Sequence, residues 1–572
     1  MANNHEKYKN HSREELIDEL ESLKKKKYGL VWDKKNSQEM LDAFVNWENV
    51  PENFTSKQFP VLKEVKNKEI ETDKVKPTNL LIEGDNYHSL AVLNFTHQNA
   101  IDVIYIDPPY NTGNKDFIYN DKFVDRDDSF RHSKWLSFME KRLRLAKRLL
   151  KNTGVIFISI DDNEQAQLKM LCDEVFEESN FVAQIVWRKK YGGGKGSRFF
   201  VDLHEYVLCY AKNIVKIDQF LIQRSNEQSV IFKEIDQYIK ERGKYYIRPL
   251  KSGLAFRKNL IYPIECPDGS EVKTQWICAK ETYLRLLNEE RIVFKKLKNG
   301  TYNVYKKFYE KDGDGLVHPE SIFYDLAYNQ NGKEELKNIF NISEGRNVPF
   351  ENAKPIKLIK YLINISTNSK NALILDFMAG SGTTGHAVMQ SNKADNGNRR
   401  FILCTNDEEL DNSGSSKKHK ICSDICYPRI EKVIRGYKNP KSEKVVGLGG
   451  NLKYFKTDFV GSDSTDKNKR DLVNKSAEMI CIKEDIFDLV VDKGLDYKIY
   501  QRGKNFLGII FDLDTITDFK KEAEKHKGNF MIYCFSYTEA TPEKEFKGLK
   551  NKYVLKPIPA VILRIYLEIF KK

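Results

Sequence analysis

The chain has 572 residues, enough for about three or four domains of ordinary size, and 40% of them are hydrophobic, so it has the apolar material to fold. Lys and Arg number 95 against 82 Asp and Glu, and the formal net charge of +13 permits a polyanionic partner. No apolar run approaches the roughly 18 residues of a membrane span and the opening M-A-N-N-H-E-K-Y is not a secretory leader, so a soluble cytoplasmic protein with no membrane contact is expected; nine cysteines without paired C-x-x-C spacing suggest reduced thiols and no metal.

Residues 13–27 place Leu16, Leu20 and Leu23 at helical spacing, with acids ahead of bases, and predict an amphipathic helix. From Thr78 a mixed pattern begins: a strand at 79–85, a helix from about Ser89, and a strand ending at Asp107. A long helix follows over about 132–151, then a strand at 154–161, a helix from Asn163 to Glu177 and a strand at 181–187. This alternation predicts βαβ units and a mainly parallel sheet.

The loop R-K-K-Y-G-G-G-K-G-S-R (188–198) is glycine-rich and basic, and a strand follows at 204–210. Residues 216–345 lose the alternation, become polar, aromatic and charged, and include a hairpin-like C-P-D-G-S-E-V-K (266–273). The α/β pattern then returns, with a helix from about Pro355 to Thr367, a strand at 371–377, a glycine turn and a strand at 399–405. Residues 411–420 read as an exposed loop, and 440–572 as short strands and a few helices.

Two stretches carry chemistry. In D-F-M-A-G-S-G-T-T-G-H-A-V (376–388) a buried strand ends and glycines precede a helix, so Gly380 and Gly382 let a ligand approach the backbone, as in nucleotide-type sites. No G-x-x-x-x-G-K-[ST] occurs, which argues against an ATPase or helicase. In I-D-P-P-Y-N-T-G (106–113) two prolines stop a strand abruptly, because neither has an N–H to continue a ladder.

A rigid corner at a strand's carboxyl end points into the crevice where α/β sheets bind ligands. There the Asp107 carboxylate and the Pro108 carbonyl can both accept from one exocyclic amino group while the Tyr110 ring covers the base. Fixing both N–H bonds out of the ring plane localises an otherwise delocalised lone pair toward an incoming methyl. A base inside a duplex cannot reach such a corner, so it must be flipped out and stacked.

These residues resemble the amino-methylating DNA methyltransferases of the β class. Asp107, Pro108, Pro109 and Tyr110 look like the catalytic motif and F-M-A-G-S-G (377–382) like the cofactor motif, in the order of that class, with Phe377 lying 270 residues beyond Asp107. E-G-D-N-Y-H-S-L (83–90) and H-E-Y-V-L-C-Y-A-K-N (204–213) are similar to modification subunits of Type III restriction systems.

The resemblance implies an α/β, permuted Rossmann-like S-adenosylmethionine-dependent methyltransferase fold with a seven-stranded sheet. Its parts would be an N-terminal helical arm (1–75), a catalytic half (76–215), an inserted target-recognition domain (216–345), a cofactor-binding half (346–438) and a C-terminal assembly domain (439–572). It further implies S-adenosyl-L-methionine as donor and adenine N6 of double-stranded DNA as acceptor. Asp376, Phe377, Ala379, Gly380, Ser381, Gly382 and Thr383 would line the donor, with Asp85 near its adenine and Lys354 and Pro355 closing the pocket. After the strand at 399–405, Thr405 and Asn406 stand where the class often has an acid, and Glu408 is the nearest substitute.

On the basic loop, Lys189, Lys190, Lys195 and Arg198 are candidate phosphate partners, which give affinity rather than sequence choice. A homodimer and a separate restriction subunit carrying helicase and nuclease are the implied partners. The competing readings are a cytosine-N4 DNA methyltransferase, an enzyme acting on RNA or protein amide, and a catalytically silent DNA-specificity subunit.

Overall fold

Two short apolar runs, I-D-V-I-Y-I (101–106) and L-I-L-D (373–376), pair side by side near the middle of a ten-stranded sheet. The computed structural model describes residue 12 and residues 58–73, 76–113, 117–119, 122–192, 199–224, 229–253, 255–410, 418–461, 465–535 and 542–558. In chain order the strands of this sheet are β1 (Gln58–Glu64), β2 (Thr78–Glu83), β3 (Ile101–Ile106), β4 (Leu150–Ile160), β5 (Phe181–Arg188), β6 (His204–Ala211), β7 (Ile322–Phe323), β8 (Leu373–Asp376), β9 (Arg400–Thr405) and β10 (Asn451–Gly461). They lie in the order β1-β10-β2-β9-β8-β3-β4-β6-β5-β7.

From β10 to β4 neighbouring strands are parallel, and β6 runs antiparallel between β4 and β5. The seven expected strands are therefore present as β2-β9-β8-β3-β4-β6-β5, in the permuted Rossmann-like α/β arrangement. The sheet exceeds the expected seven because β1 and β10 extend one edge, paired antiparallel, and β7 the other. β10 reads N-L-K-Y-F-K-T-D-F-V-G, a run interrupted by charges that hides a buried strand from a search for continuous apolar segments.

The helices against the sheet are α1 (Asn86–Thr96), α2 (Arg131–Leu149), α3 (Gln165–Cys172), α4 (Asn329–Phe340), α5 (Ile356–Ser366), α6 (Thr383–Asp395), α7 (Tyr427–Arg435) and α8 (Asp466–Glu484). α2 shows why they dock: Trp135, Met139, Leu143 and Ala146 recur every three or four residues and all are buried. Each large apolar side chain so buried contributes about 1.5–3 kcal/mol, and a charge at Leu143 would detach the helix. The helix expected over 163–177 is α3 continued by a wider turn at Asp173–Glu177.

Three expected boundaries shift. Residues 13–27, read as a helix, lie outside the described residues, and 58–64 of the supposed helical arm form β1. The described part of residues 439–572 is not a separate layer: β10 completes the sheet, and buried Leu472, Ile480, Leu507 and Tyr533 share one hydrophobic cluster with Leu90 and Ile104. That cluster covers one face of a second sheet, in the order Asp488–Asp492, Tyr497–Arg502, Asn505–Ile510, Asn529–Cys534, Lys552–Lys556.

The inserted module forms its own unit over residues 219–320, narrower than 216–345. Its end moves because Ile322 and Phe323 pair in parallel with Val186 and Trp187 of β5, which returns the following α4 to the first unit. The module holds a three-stranded sheet (Tyr245–Pro249, Tyr302–Tyr309, Ile292–Lys296), the expected hairpin as Ile261–Glu265 with Glu271–Gln275, and a small core around Leu250, Trp276 and Val304.

Candidate active site

Ile374 and Leu375 of β8 stand opposite Val103 and Ile104 of β3, so Asp107 and the turn after Asp376 leave neighbouring strands at the same end. Parallel neighbours are about 4.8 Å apart, and this end of a doubly wound sheet is where ligands bind. Thr405 of β9 pairs with Glu83 of β2, which brings Glu408 and Asp85 to the same edge. Residues far apart in sequence thus form one row along the sheet: Asp85, Glu408, the glycine turn, then the Asp-Pro-Pro-Tyr corner.

The corner is held from behind. The Trp135 indole donates to the Pro109 carbonyl at 2.7 Å, and Asn111, with φ of 56°, donates its amide to buried Glu164 at 2.6 Å. In front, Lys354 makes three contacts through Nζ: the Tyr110 hydroxyl at 2.9 Å, Asp107 Oδ1 at 3.0 Å and Glu205 Oε2 at 3.3 Å. The Tyr110 hydroxyl lies 3.0 Å from Asp107 Oδ1 and 3.1 Å from Glu205 Oε2. Both contacts of the Asp107 carboxylate therefore fall on Oδ1.

Burial and the charges of Asp107 and Glu205 hold the Tyr110 hydroxyl well above the ordinary phenol range, so it keeps its proton. Burial also raises the Asp107 carboxyl, with the Lys354 charge pulling it back. For Lys354 burial acts against the ammonium, but Asp107 and Glu205 outweigh it and raise the group.

At the glycine turn the backbone sets the shape. Gly380 and Gly382 have φ of +49° and +80°, and a Cβ on Gly382 would stand 3.0 Å from Cys426 Sγ. The Ala379 N–H donates to the Cys404 carbonyl at 3.1 Å and the Gly382 N–H to the Ala379 carbonyl at 2.7 Å, closing the turn just before α6. Asp376 fastens it by accepting the Met378 N–H at 3.0 Å and the Thr384 hydroxyl at 2.5 Å. Burial pushes the Asp376 carboxyl up to about 7.

The predicted donor residues divide. Ala379, Gly380 and Gly382 shape the backbone at a helix start, which fits a nucleotide-type ligand; Ala379 and Gly382 are themselves buried, and Phe350 and Cys426 stand 3.0 Å from where Cβ atoms on Gly380 and Gly382 would lie. Phe377 is fully buried in the core, so its side chain does not line the turn's open face. Ser381 and Thr383 turn their hydroxyls to fully buried Arg429, at 2.9 and 2.7 Å, and so support the turn. Asp85 caps α1 through the Tyr87 N–H at 2.7 Å, pairs with Arg142 at 3.3 Å and stays exposed; Glu408, near enough to feel its charge, accepts from the Asn406 amide.

Two expectations are corrected. Lys354 was expected to close the donor pocket, but its ammonium engages Asp107, Tyr110 and Glu205; Pro355 sets it there by preceding α5. Lys189 was expected to meet phosphate, but it is buried, with Nζ 2.8 Å from Asp202 and 3.4 Å from Glu205. Lys190 is exposed, while Lys195 and Arg198 lie outside the described residues. Sequence reading passed over Glu205, Arg429 and Glu164. The signal for Glu205 was an acid at the head of the apolar run E-Y-V-L-C-Y; nothing in Y-P-R-I-E-K marked Arg429.

A family model described as DNA methylase matches residues 101–413. The chain is 35% identical over 404 residues to the Type III restriction-modification enzyme StyLTI Mod subunit of Salmonella typhimurium, covering 65% of this chain and 59% of that one. It is 32% identical to the Type III restriction-modification enzyme EcoPI Mod subunit of Escherichia phage P1, covering 72% of this chain and 69% of that one. With the Type II methyltransferase M.KpnI of Klebsiella pneumoniae the identity is 32%, covering 63% of this chain and 89% of that one. The chain thus spans 59% and 69% of the length of the two Mod subunits it matches.

Proposed function

Because the chain belongs to the DNA methylase family, we propose that it transfers a methyl group from S-adenosyl-L-methionine to N6 of an adenine turned out of duplex DNA. The observation that carries this reading is the pairing of β3 with β8, which puts the Asp107 corner beside the glycine turn. Oδ2 of Asp107, on the side away from Lys354 and Tyr110, and the Pro108 carbonyl accept the two N–H bonds of the target amine. That pairing turns the nitrogen lone pair out of the purine plane. The Tyr110 ring covers the base, a contact of about 1–3 kcal/mol.

S-adenosyl-L-methionine, when bound, supplies a methyl already activated on sulfonium. Gly380 and Gly382 give it room against the backbone, while Asp85 and Glu408 offer carboxylates to its hydroxyl and amino groups. Once N6 carries the methyl it is cationic, and its proton leaves to water without an obligate base. The Lys354 ammonium, 3.0 Å from Asp107 Oδ1, favours the charged carboxylate against the burial that opposes it.

Lys190, Lys195 and Arg198 follow the DNA backbone, and bases are read from within 219–320. The protein acts in the cytoplasm as a homodimer and as the modification subunit of a Type III system, beside a restriction subunit. Among the described residues no helix is long and apolar enough to cross a membrane. The similarity to M.KpnI, of which the chain covers 89%, favours a solitary enzyme as the second reading, and co-expression with neighbouring reading frames separates the two.

The test is incubation of the purified chain with methyl-labelled donor and duplex DNA, followed by nucleoside analysis. Label in N6-methyladenine is the expected result; label in cytosine, in RNA or protein alone, or nowhere would sink the reading.

A further inference from the structure

Glu205 lies at the head of β6, opposite Trp187 of β5, with its side chain only 7% exposed. A carboxylate so buried needs partners, and it has three: the Tyr110 hydroxyl and Lys354 on Oε2, and Lys189 on Oε1. Lys354 and Lys189 are each 7% exposed as well, so all three charges are withdrawn from water together.

Hydrogen counting gives Glu205 a definite task. A lysine ammonium has three donors, and those of Lys354 match three acceptors, Asp107 Oδ1, the Tyr110 oxygen and Glu205 Oε2. The Tyr110 oxygen, already accepting from Lys354, directs its own proton to a carboxylate, either Asp107 or Glu205. With Glu205 present the Tyr110 ring is pinned from two sides and Lys354 stands between two anions. Without that second anion, Lys354 can move onto the other oxygen of Asp107, the one the amine needs.

We propose that Glu205 is a positioning residue for methyl transfer: it anchors the Tyr110 ring as the stacking platform and confines Lys354 to one oxygen of Asp107. Lys189, joined to Glu205 at 3.4 Å and to Asp202 at 2.8 Å, steadies the outer side of the same carboxylate. This rests on the adenine-N6 reading above, and it adds a residue outside the two motifs that carry that reading.

The test is a double-mutant cycle between Glu205→Gln and Tyr110→Phe, measured as single-turnover methylation of duplex DNA with saturating donor. Glu205→Gln is expected to slow transfer about 10- to 100-fold, as for a hydrogen bond to a charged group, with donor affinity changed less than about threefold. Because Glu205 acts partly through the Tyr110 hydroxyl and partly through Lys354, the double variant should lose less rate than the product of the two single losses. Glu205→Asp, which keeps the charge, should recover part of the rate. Multiplicative loss in the cycle, full activity of Glu205→Gln, or a collapse of its donor binding would each overturn the proposal. A wild-type chain that does not methylate adenine would instead remove the reading on which it rests.

Discussion

The corner after β3 carries its chemistry on side chains, whereas the turn after β8 works through the path of its backbone. At 107–110 a carboxylate, a phenol and a lysine meet within about 3 Å, held by Glu205 and the Trp135 indole. At 377–382 two residues have positive φ, the side chains of Phe377, Ser381 and Thr383 turn into the protein, and Asp376 and Arg429 only support the bend. The difference teaches that substitutions in the two turns should fail in different ways. Loss of a group at the first should spare binding of the donor, while added bulk at the second should abolish it.

Asp107→Ala probes the first side most severely. Transfer is expected to fall by about a thousandfold or more, as when a group that binds the reacting centre is removed, while donor affinity stays within about threefold. Equilibrium binding of the donor beside a rate measurement checks this, and parallel loss of both would erase the contrast.

Gly382→Asp probes the second. A side chain there meets Cys426 Sγ at 3.0 Å and takes up a φ of +80°, so donor affinity should fall about a hundredfold, with a strain cost of about 1–3 kcal/mol. Isothermal titration decides, and near-normal donor affinity would mean that the bend is not the cradle.

Tyr110→Phe should slow transfer about tenfold, since it keeps the stacking ring and loses one hydroxyl's bonds. A loss as large as that of Asp107→Ala would move the main role from stacking to the hydroxyl.

Smaller effects separate support from chemistry. The Asp376 carboxyl, at about 7 when folded, is raised above its unfolded value near 3.8, so the stability it lends is complete below pH 3.8 and is lost as pH rises through 7. Thermal melting of wild type should therefore drop from pH 4 to 7 more steeply than that of Asp376→Asn and level off above that, and equal slopes would count against a buried ionising group. Lys190→Gln should weaken DNA binding about two- to threefold at low salt and flatten its salt dependence slightly. An unchanged salt slope would take Lys190 off the DNA.

Much of this architecture was legible from local pattern. The strands β2, β3, β4, β5, β6, β8 and β9 announce themselves as apolar runs, and the double proline and the paired glycines mark where two of them end. β10 escaped because Lys453, Lys456 and Asp458 interrupt it, and α8 because its Lys- and Asp-rich surface outweighs its buried Leu472 and Ile480. Lys354 was recognised as belonging to the site but given the wrong neighbour, since its position before Pro355 says nothing about which carboxylate its amine will reach.

By itself the sequence determined the kinds of chemistry present: a stiff corner bearing Asp107 and Tyr110, and a glycine bend that admits a ligand to the backbone. Both follow from constraints within a few residues, proline's missing N–H and glycine's missing Cβ. Tertiary structure decided the rest. Only strand pairing sets those two turns side by side, and only the convergence of β5, β6 and the residues before α5 gathers Lys189, Glu205 and Lys354 around Tyr110. Contacts across such distances depend on how the sheet is ordered in space, which no short run of residues encodes.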